Sequence, residues 1–203
     1  MIRVLFFFSS RRRHTRWTNN LQEFLNWTVD TIREDKLLSP WLEEKKFEWA
    51  PLVSKNITNI LDKSYSILII TDKEREWFLN YILSNINSSK LNRPFLPFYD
   101  FSSFYKNLDQ IKSEDDISNI KDMLKISFPN GYCFWYIGKS QDNRSTLAKI
   151  TKSSFLWIFD EERQGSINLK SNDDGLDMKL LQMFRLYNKT ISAALFANIN
   201  VES

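Results

Sequence analysis

The chain has 203 residues, 42% of them hydrophobic and 15% aromatic, with 16 Phe and 7 Trp. That is the length of one domain with a sizeable core, and it excludes a disordered polymer. A single cysteine, Cys133, excludes an internal disulfide framework and fits a reducing cytoplasm, while no apolar run approaches the roughly 20 residues that cross a bilayer.

The net charge of +3 is concentrated at the start of the chain. Residues 1–19 hold Arg3, Arg11, Arg12, Arg13 and Arg16 and no Asp or Glu. Taking those five from the 28 basic residues leaves 23 against 25 acidic ones, a net of −2 for the remainder. That remainder is a poor match for a phosphate backbone, and no direct DNA binding is expected of it. Val4 to Phe8 is too short for the apolar part of a signal peptide, and it precedes the basic cluster instead of following it. The run FFFSSRRRHTRW reads like a translated sequencing adapter, which makes 1–19 a non-native, disordered tail. A basic arm on nucleic acid is the other reading. The first is favoured because no Met follows Met1 until Met123, which places the genuine start near Asn20. The domain proper is then 20–203.

From Leu21, the residues Phe24, Leu25, Thr28 and Ile32 recur at helical spacing. Ser39-Pro40 reads as a cap and first position of a second helix running from Trp41 to Leu61, with a kink or break near Ala50 caused by Pro51. Ser66 to Thr71 is a short β-branched run suited to a buried parallel strand. Asp72 can cap the next helix, to about Asn87; Arg93-Pro94 is a turn, and Phe95 to Phe101 a second strand. A weaker helix follows at Ile117 to Ile126, then the Pro129-Asn130-Gly131 turn and a third strand, Tyr132 to Ile137. Asp142 to Thr151 is a short helix, Phe155 to Phe159 a fourth strand, and Ser166 to Lys170 a fifth. A long helix after Gly175 ends near Asn198. This alternation predicts a single doubly wound α/β domain: a five-stranded parallel sheet flanked by helices, in a flavodoxin-like three-layer α/β/α arrangement.

The residues give little to catalysis. Outside the tail there is no histidine, the usual acid/base at neutral pH. Cys133 lies mid-strand as a structural thiol, and no Cys/His cluster has metal-ligand spacing. The pairs Glu43-Glu44, Asp115-Asp116, Glu161-Glu162 and Asp173-Asp174 read as solvated faces and caps. In a doubly wound fold, ligands bind at the carboxyl ends of the strands, where glycines let amides reach an anion. The loop Thr71 to Glu76 has no glycine and three carboxylates that repel phosphate; Gly138-Lys139-Ser140 is a weak cradle. No catalytic residue, metal or cofactor is expected. WFLNYILSNI is instead apolar almost all round its helix, which makes Trp77, Phe78 and Tyr81 candidates for an oligomer or partner surface. The last helix behaves alike, with Leu181, Met183 and Phe196 outside its main stripe.

Several runs carry a family resemblance. WFLNYILSN (Trp77–Asn85), Arg93-Pro94 with its strand, DFSSFY (Asp100–Tyr105), FWYIGK (Phe134–Lys139), SFLWIF (Ser154–Phe159) and KLLQMF (Lys179–Phe184) occur in that order. Together they resemble the HobA family of epsilon-proteobacteria. The resemblance implies a sugar-isomerase-like (SIS) fold and a homo-oligomer, a tetramer. It also implies a non-enzymatic role in initiating chromosome replication, by binding the N-terminal region of DnaA and promoting its assembly at the origin. SIS sugar binders carry a Gly-Asn-Gly-x-Ser-like loop where this chain has Thr71 to Arg75, and their second loop is reduced here to Gly138 to Gln141. The alternative, a phosphosugar-binding SIS protein or isomerase, is weakened by both departures. The related DiaA branch uses a Leu-Phe pair late in its final helix, matched here by Leu195 and Phe196, which makes them candidate partner-binding residues.

Overall fold

A computed structural model describes residues 20–111, 113–199 and 201; the arginine-rich tail lies outside them. The elements in chain order are α1 (20–34), α2 (Trp41–Glu44), α3 (Lys46–Leu61), β1 (Ser66–Thr71), α4 (Glu76–Ile86), β2 (Phe98–Asp100), α5 (Glu114–Ser127), β3 (Tyr132–Lys139), α6 (Ser145–Ile150), β4 (Phe155–Phe159), β5 (Ile167–Leu169) and α7 (Leu176–Leu195). All strand pairs are parallel, in the order β2-β1-β3-β4-β5. This is the flavodoxin-like order, and its switch point lies between β1 and β3.

Side chains alternate across a strand, so the apolar runs feed two cores. Ile67, Ile69, Trp135, Ile137, Trp157 and Phe159 face one core, which they share with α1, α3, α4 and α7. Leu68, Ile70, Phe134, Tyr136, Leu156 and Ile158 face the other, covered by α5, α6 and the segment around Phe101 to Ile111. Burial on both faces explains why β1, β3 and β4 read as continuous apolar runs with no polar alternation. Cys133 is fully buried, donates to the Ser153 carbonyl at 2.6 Å, and burial pushes its thiol up to about 12. It is inert at neutral pH.

Several boundaries differ from the sequence expectation for definable reasons. The break in the second helix falls at Lys45, and α3 runs through Pro51. Two anchors on either side of Lys45 set that break. Trp41 donates to Gln182 on α7, whereas Trp49, Ala50 and Val53 are buried in the core. Ser39 does not cap α2; its hydroxyl accepts from Gln182 instead. The second strand is only Phe98–Asp100, because Pro94 and Pro97 have no N–H to give a ladder. The α5 helix starts earlier, at Glu114, where Ser113 and Asp116 form a reciprocal capping box. The third strand extends to Lys139 and α7 stops at Leu195.

Side chains hold backbone groups at both borders of the sheet. Beside β2, the Asn87 side chain donates to the Leu96 carbonyl and accepts from the Leu96 N–H, each at 2.9 Å. On β5, the Asn168 N–H donates to the Glu48 carboxylate at 3.3 Å.

The end of α1 is tied to α7 by Asp35, which accepts from Arg185 at 2.7 Å and from Lys189 at 2.8 Å. Burial alone would raise this carboxyl, but the hydrogen bonds from Arg185 and Lys189 outweigh it and hold the group well below the usual carboxylate range. A lowered folded-state value stabilises the protein above the ordinary carboxylate pKa of about 4 and is lost as pH falls through the folded value. Asp35→Asn should therefore lower the urea midpoint at pH 7, and the gap to wild type should begin to narrow below about pH 4 and shrink steadily as pH falls further. A gap independent of pH would show that the pair contributes nothing through its charge.

Candidate functional site

Two places were open to function from the sequence: the strand ends at the switch point and the aromatic helix faces. The first is occupied by the protein itself. Asp72 accepts from the Arg75 N–H at 3.1 Å and from the Lys139 N–H at 2.8 Å, and pairs with the Arg75 guanidinium at 3.3 Å. Burial raises the Asp72 carboxyl, against the Lys139 N–H and Arg75 that favour its charge. The Arg75 guanidinium also bonds Glu74 and lies 4.8 Å over the Phe159 ring. Glu74 binds the Lys139 ammonium at 2.7 Å, and Lys139 is the first cause that holds its carboxyl low. Arg144 donates to Asp109 at 2.7 Å and to Glu76 at 3.0 Å.

The physical obstacle to phosphate is therefore more than repulsion by three carboxylates. The cations that could hold an anion, Arg75, Lys139 and Arg144, are each consumed by a neighbouring carboxylate. Gly138 serves the same clasp. A Cβ there would sit 2.7 Å from an Asp72 carboxylate oxygen, so the glycine makes room for Asp72. The amides of the weak cradle are spent as well, with Lys139 N–H on Asp72 and Ser140 N–H on the Phe159 carbonyl. The Ser140 hydroxyl bonds Glu161. Among the described residues, no group of three or more His, Cys, Asp and Glu is arranged to hold a metal.

The second place is a groove of about 610 Å³ on the other side of the molecule's helical layer. It is lined by α7 from Phe184 through Asn188, Lys189 and Ser192, by Phe196 just past the end of that helix, by Trp27 and Thr31 of α1 and by Tyr81 and Asn85 of α4. The Tyr81 ring meets Phe184 edge-on at 5.7 Å. The Arg93 guanidinium donates to the Asn188 carbonyl at 3.1 Å and the Ser192 hydroxyl at 2.8 Å, and it also bonds the Ile86 carbonyl and the Asn188 side chain.

The candidate residues separate on this frame. Tyr81 and Phe196, 40% and 54% exposed, come together in the groove. Trp77 is 39% exposed on α4 but is not part of the groove lining. Leu195 is half-buried and packs against the core. Phe78 is not at the surface at all: it is fully buried, stacking on Trp157 at 6.1 Å and meeting Phe184 edge-on. A helix apolar all round is expected to bury more than one face, and the face that carries Phe78 packs on α7 and the sheet. Trp27, Phe184 and Arg93 were missed as site residues. Trp27 lies off the α1 stripe, which is a usable signal, whereas Arg93 reads only as part of a turn.

Comparison with known proteins bears on the whole chain. Residues 21–201 match the family model described as HobA, a DNA replication regulator. The DNA replication regulator protein HobA of Helicobacter pylori (strain ATCC 700392 / 26695) is 32% identical over 189 residues, covering 89% of this chain and all of that protein. The chain belongs to the HobA family. Its fold agrees with solved family members from the same species. A crystal structure of HobA in complex with DnaA (domain I-II) has a TM-score of 0.68 at 30% identity, covering 88% of this chain and 95% of that one. A crystal structure of HobA gives 0.67 at 31% identity, with 88% and 94% covered. The clasp across the strand ends is thus the form that the switch point takes in this HobA family member. Among the described residues, no helix is long and apolar enough to cross a membrane.

Proposed function

We propose that this chain regulates initiation of chromosome replication by binding the N-terminal region of DnaA and promoting its assembly at the origin. The observation that carries the reading is the match, over 88% of this chain, to a HobA held in a complex with DnaA domains I-II. The chain acts without catalysis and in the cytoplasm. The consumed cations at the strand ends and the inert Cys133 thiol speak for an adaptor over an isomerase. As a homo-oligomer, a tetramer, it holds several DnaA copies together and raises their effective concentration without a DNA contact of its own.

A pull-down with the DnaA N-terminal region tests this. A stable complex is expected, together with no retention of origin duplex by the chain alone. The melting temperature should not shift across a panel of sugar phosphates, since a ligand that binds the native state raises it. Absence of a complex with folded protein overturns the reading, and a clear sugar-phosphate shift would move the chain to the ligand-binding SIS class.

A further inference from the structure

One strand over from the clasp, a cavity of about 200 Å³ lies where β1 and β2 end. Thr71 of β1, Leu79 of α4 and Leu108 of the segment after β2 make its buried part, and the exposed residues Asn80, Ser102 and Lys106 complete it. Drug-sized ligands occupy roughly 300–1,000 Å³. A molecule of a few carbons fits this smaller space, whereas a nucleotide or a peptide does not.

Thr71 supplies the polar anchor. It ends β1 on the face shared with Ile67 and Ile69, toward α4. The residue is 3% exposed, and its hydroxyl has no hydrogen-bond partner among the described residues. The other buried threonines, Thr28, Thr58 and Thr190, each donate to a backbone carbonyl. A buried hydroxyl left unpaired costs free energy that a ligand group in the cavity would recover.

The charges around it select the ligand. Lys106 has no ion-pair partner among the described residues. Glu76 gives Oε1 to Arg144 at 3.0 Å and keeps Oε2 free. The Asp100 oxygens are taken by the Ser102 N–H at 2.8 Å and the Ser102 hydroxyl at 2.6 Å. An ammonium, a carboxylate oxygen, the Thr71 hydroxyl and the Asn80 amide are therefore available together. A phosphate dianion would meet the like charge of Glu76 and Asp100, and a simple amine that of Lys106 and Arg144. A small molecule carrying both charges meets an opposite one at each end.

We propose that this cavity binds a free α-amino acid with a small side chain, its carboxylate on Lys106, its ammonium toward Glu76 and a polar group on the Thr71 hydroxyl. The site is separate from the DnaA reading and stands or falls without it. Sugar phosphates, larger and doubly charged, remain excluded.

Thermal unfolding and titration calorimetry of the full chain with glycine, L-alanine, L-serine and L-threonine test it, at matched ionic strength. At least one of the four, at millimolar concentration, should raise the melting temperature by about 2–4 °C. Glycerate, which has a hydroxyl for the ammonium of serine, and ethanolamine, which lacks its carboxylate, should give no shift, and neither should inorganic phosphate. Lys106→Gln, at an exposed position, should unfold like wild type without ligand and weaken binding about tenfold or more. Thr71→Val keeps the shape and should weaken it roughly 3- to 10-fold. Folded wild-type protein that responds to none of the four amino acids overturns the proposal. So does a shift with glycerate, ethanolamine or phosphate that equals the best amino acid, or full binding by Lys106→Gln. The pull-down with the DnaA N-terminal region is expected to be unchanged in both variants, so failure here leaves that reading intact.

Discussion

Replacing Asp72 with alanine should lower the unfolding free energy by about 3–5 kcal/mol, the range for breaking a buried ion pair by removing one partner. The Arg75 side chain is 5% exposed and that of Asp72 4%. Alanine at 72 leaves the guanidinium over Phe159 with Glu74 as its remaining carboxylate, and Glu74 is exposed and already shared with Lys139. The Lys139 N–H loses its acceptor in the same step, so the loops after β1 and β3 come apart together. Asp72→Asn keeps an acceptor of the same shape and should cost less. Guanidine denaturation with an unchanged m-value measures both. A loss below about 1 kcal/mol for alanine would mean that the clasp does not hold the strand ends.

Trp157→Ala should cost about 3–5 kcal/mol, as large-to-small changes at buried aromatics do. Trp157 is fully buried on the central part of the sheet, with ring neighbours Trp135 at 5.1 Å, Phe155 at 5.8 Å, Phe78 at 6.1 Å and Trp49 at 6.4 Å. Those rings come from β3, β4, α4 and α3, so a cavity there removes contacts from four elements at once. The indole N–H groups of Trp49, Trp135 and Trp157 are all buried without a hydrogen-bond partner. Trp157→Phe removes one of these orphans while keeping a ring, and it should cost far less than alanine. Thermal unfolding of the two variants measures both; equal losses would show that a phenyl ring at 157 recovers none of the packing.

The sequence carried the sheet well and the site poorly. The central strands were legible because burial on both faces writes itself as an unbroken apolar run, and Ser66 to Thr71 and Phe155 to Phe159 have the ends expected of them. Phe98 to Asp100 was over-read because Phe95 and Leu96 look like strand residues while the prolines around them withhold the amides. The chemistry at the strand ends was visible as three carboxylates without a glycine. Arg75 pairs locally with Asp72, but that Arg144 and Lys139 cancel Glu76 and Glu74 needs residues about 70 positions apart to meet, which no local pattern encodes. Phe78 and Tyr81 are one helical turn apart and looked equivalent, yet α7 covers one and leaves the other in the groove. Leu195 and Phe196 are neighbours in sequence with opposite fates at the end of α7 for the same reason.

The sheet borders bear on how copies of the chain can associate. Asn87 holds the Leu96 backbone just before β2 and Glu48 holds the Asn168 amide of β5, so each border of the sheet already spends backbone groups within the chain. Those contacts work against growth by strand addition, which has no natural end point. Association through helix faces is then the easier route, where a rotation that closes gives a ring of fixed membership and one that does not gives an open filament. An assembly that closes this way has a copy number set by geometry, the same however much of the protein is made.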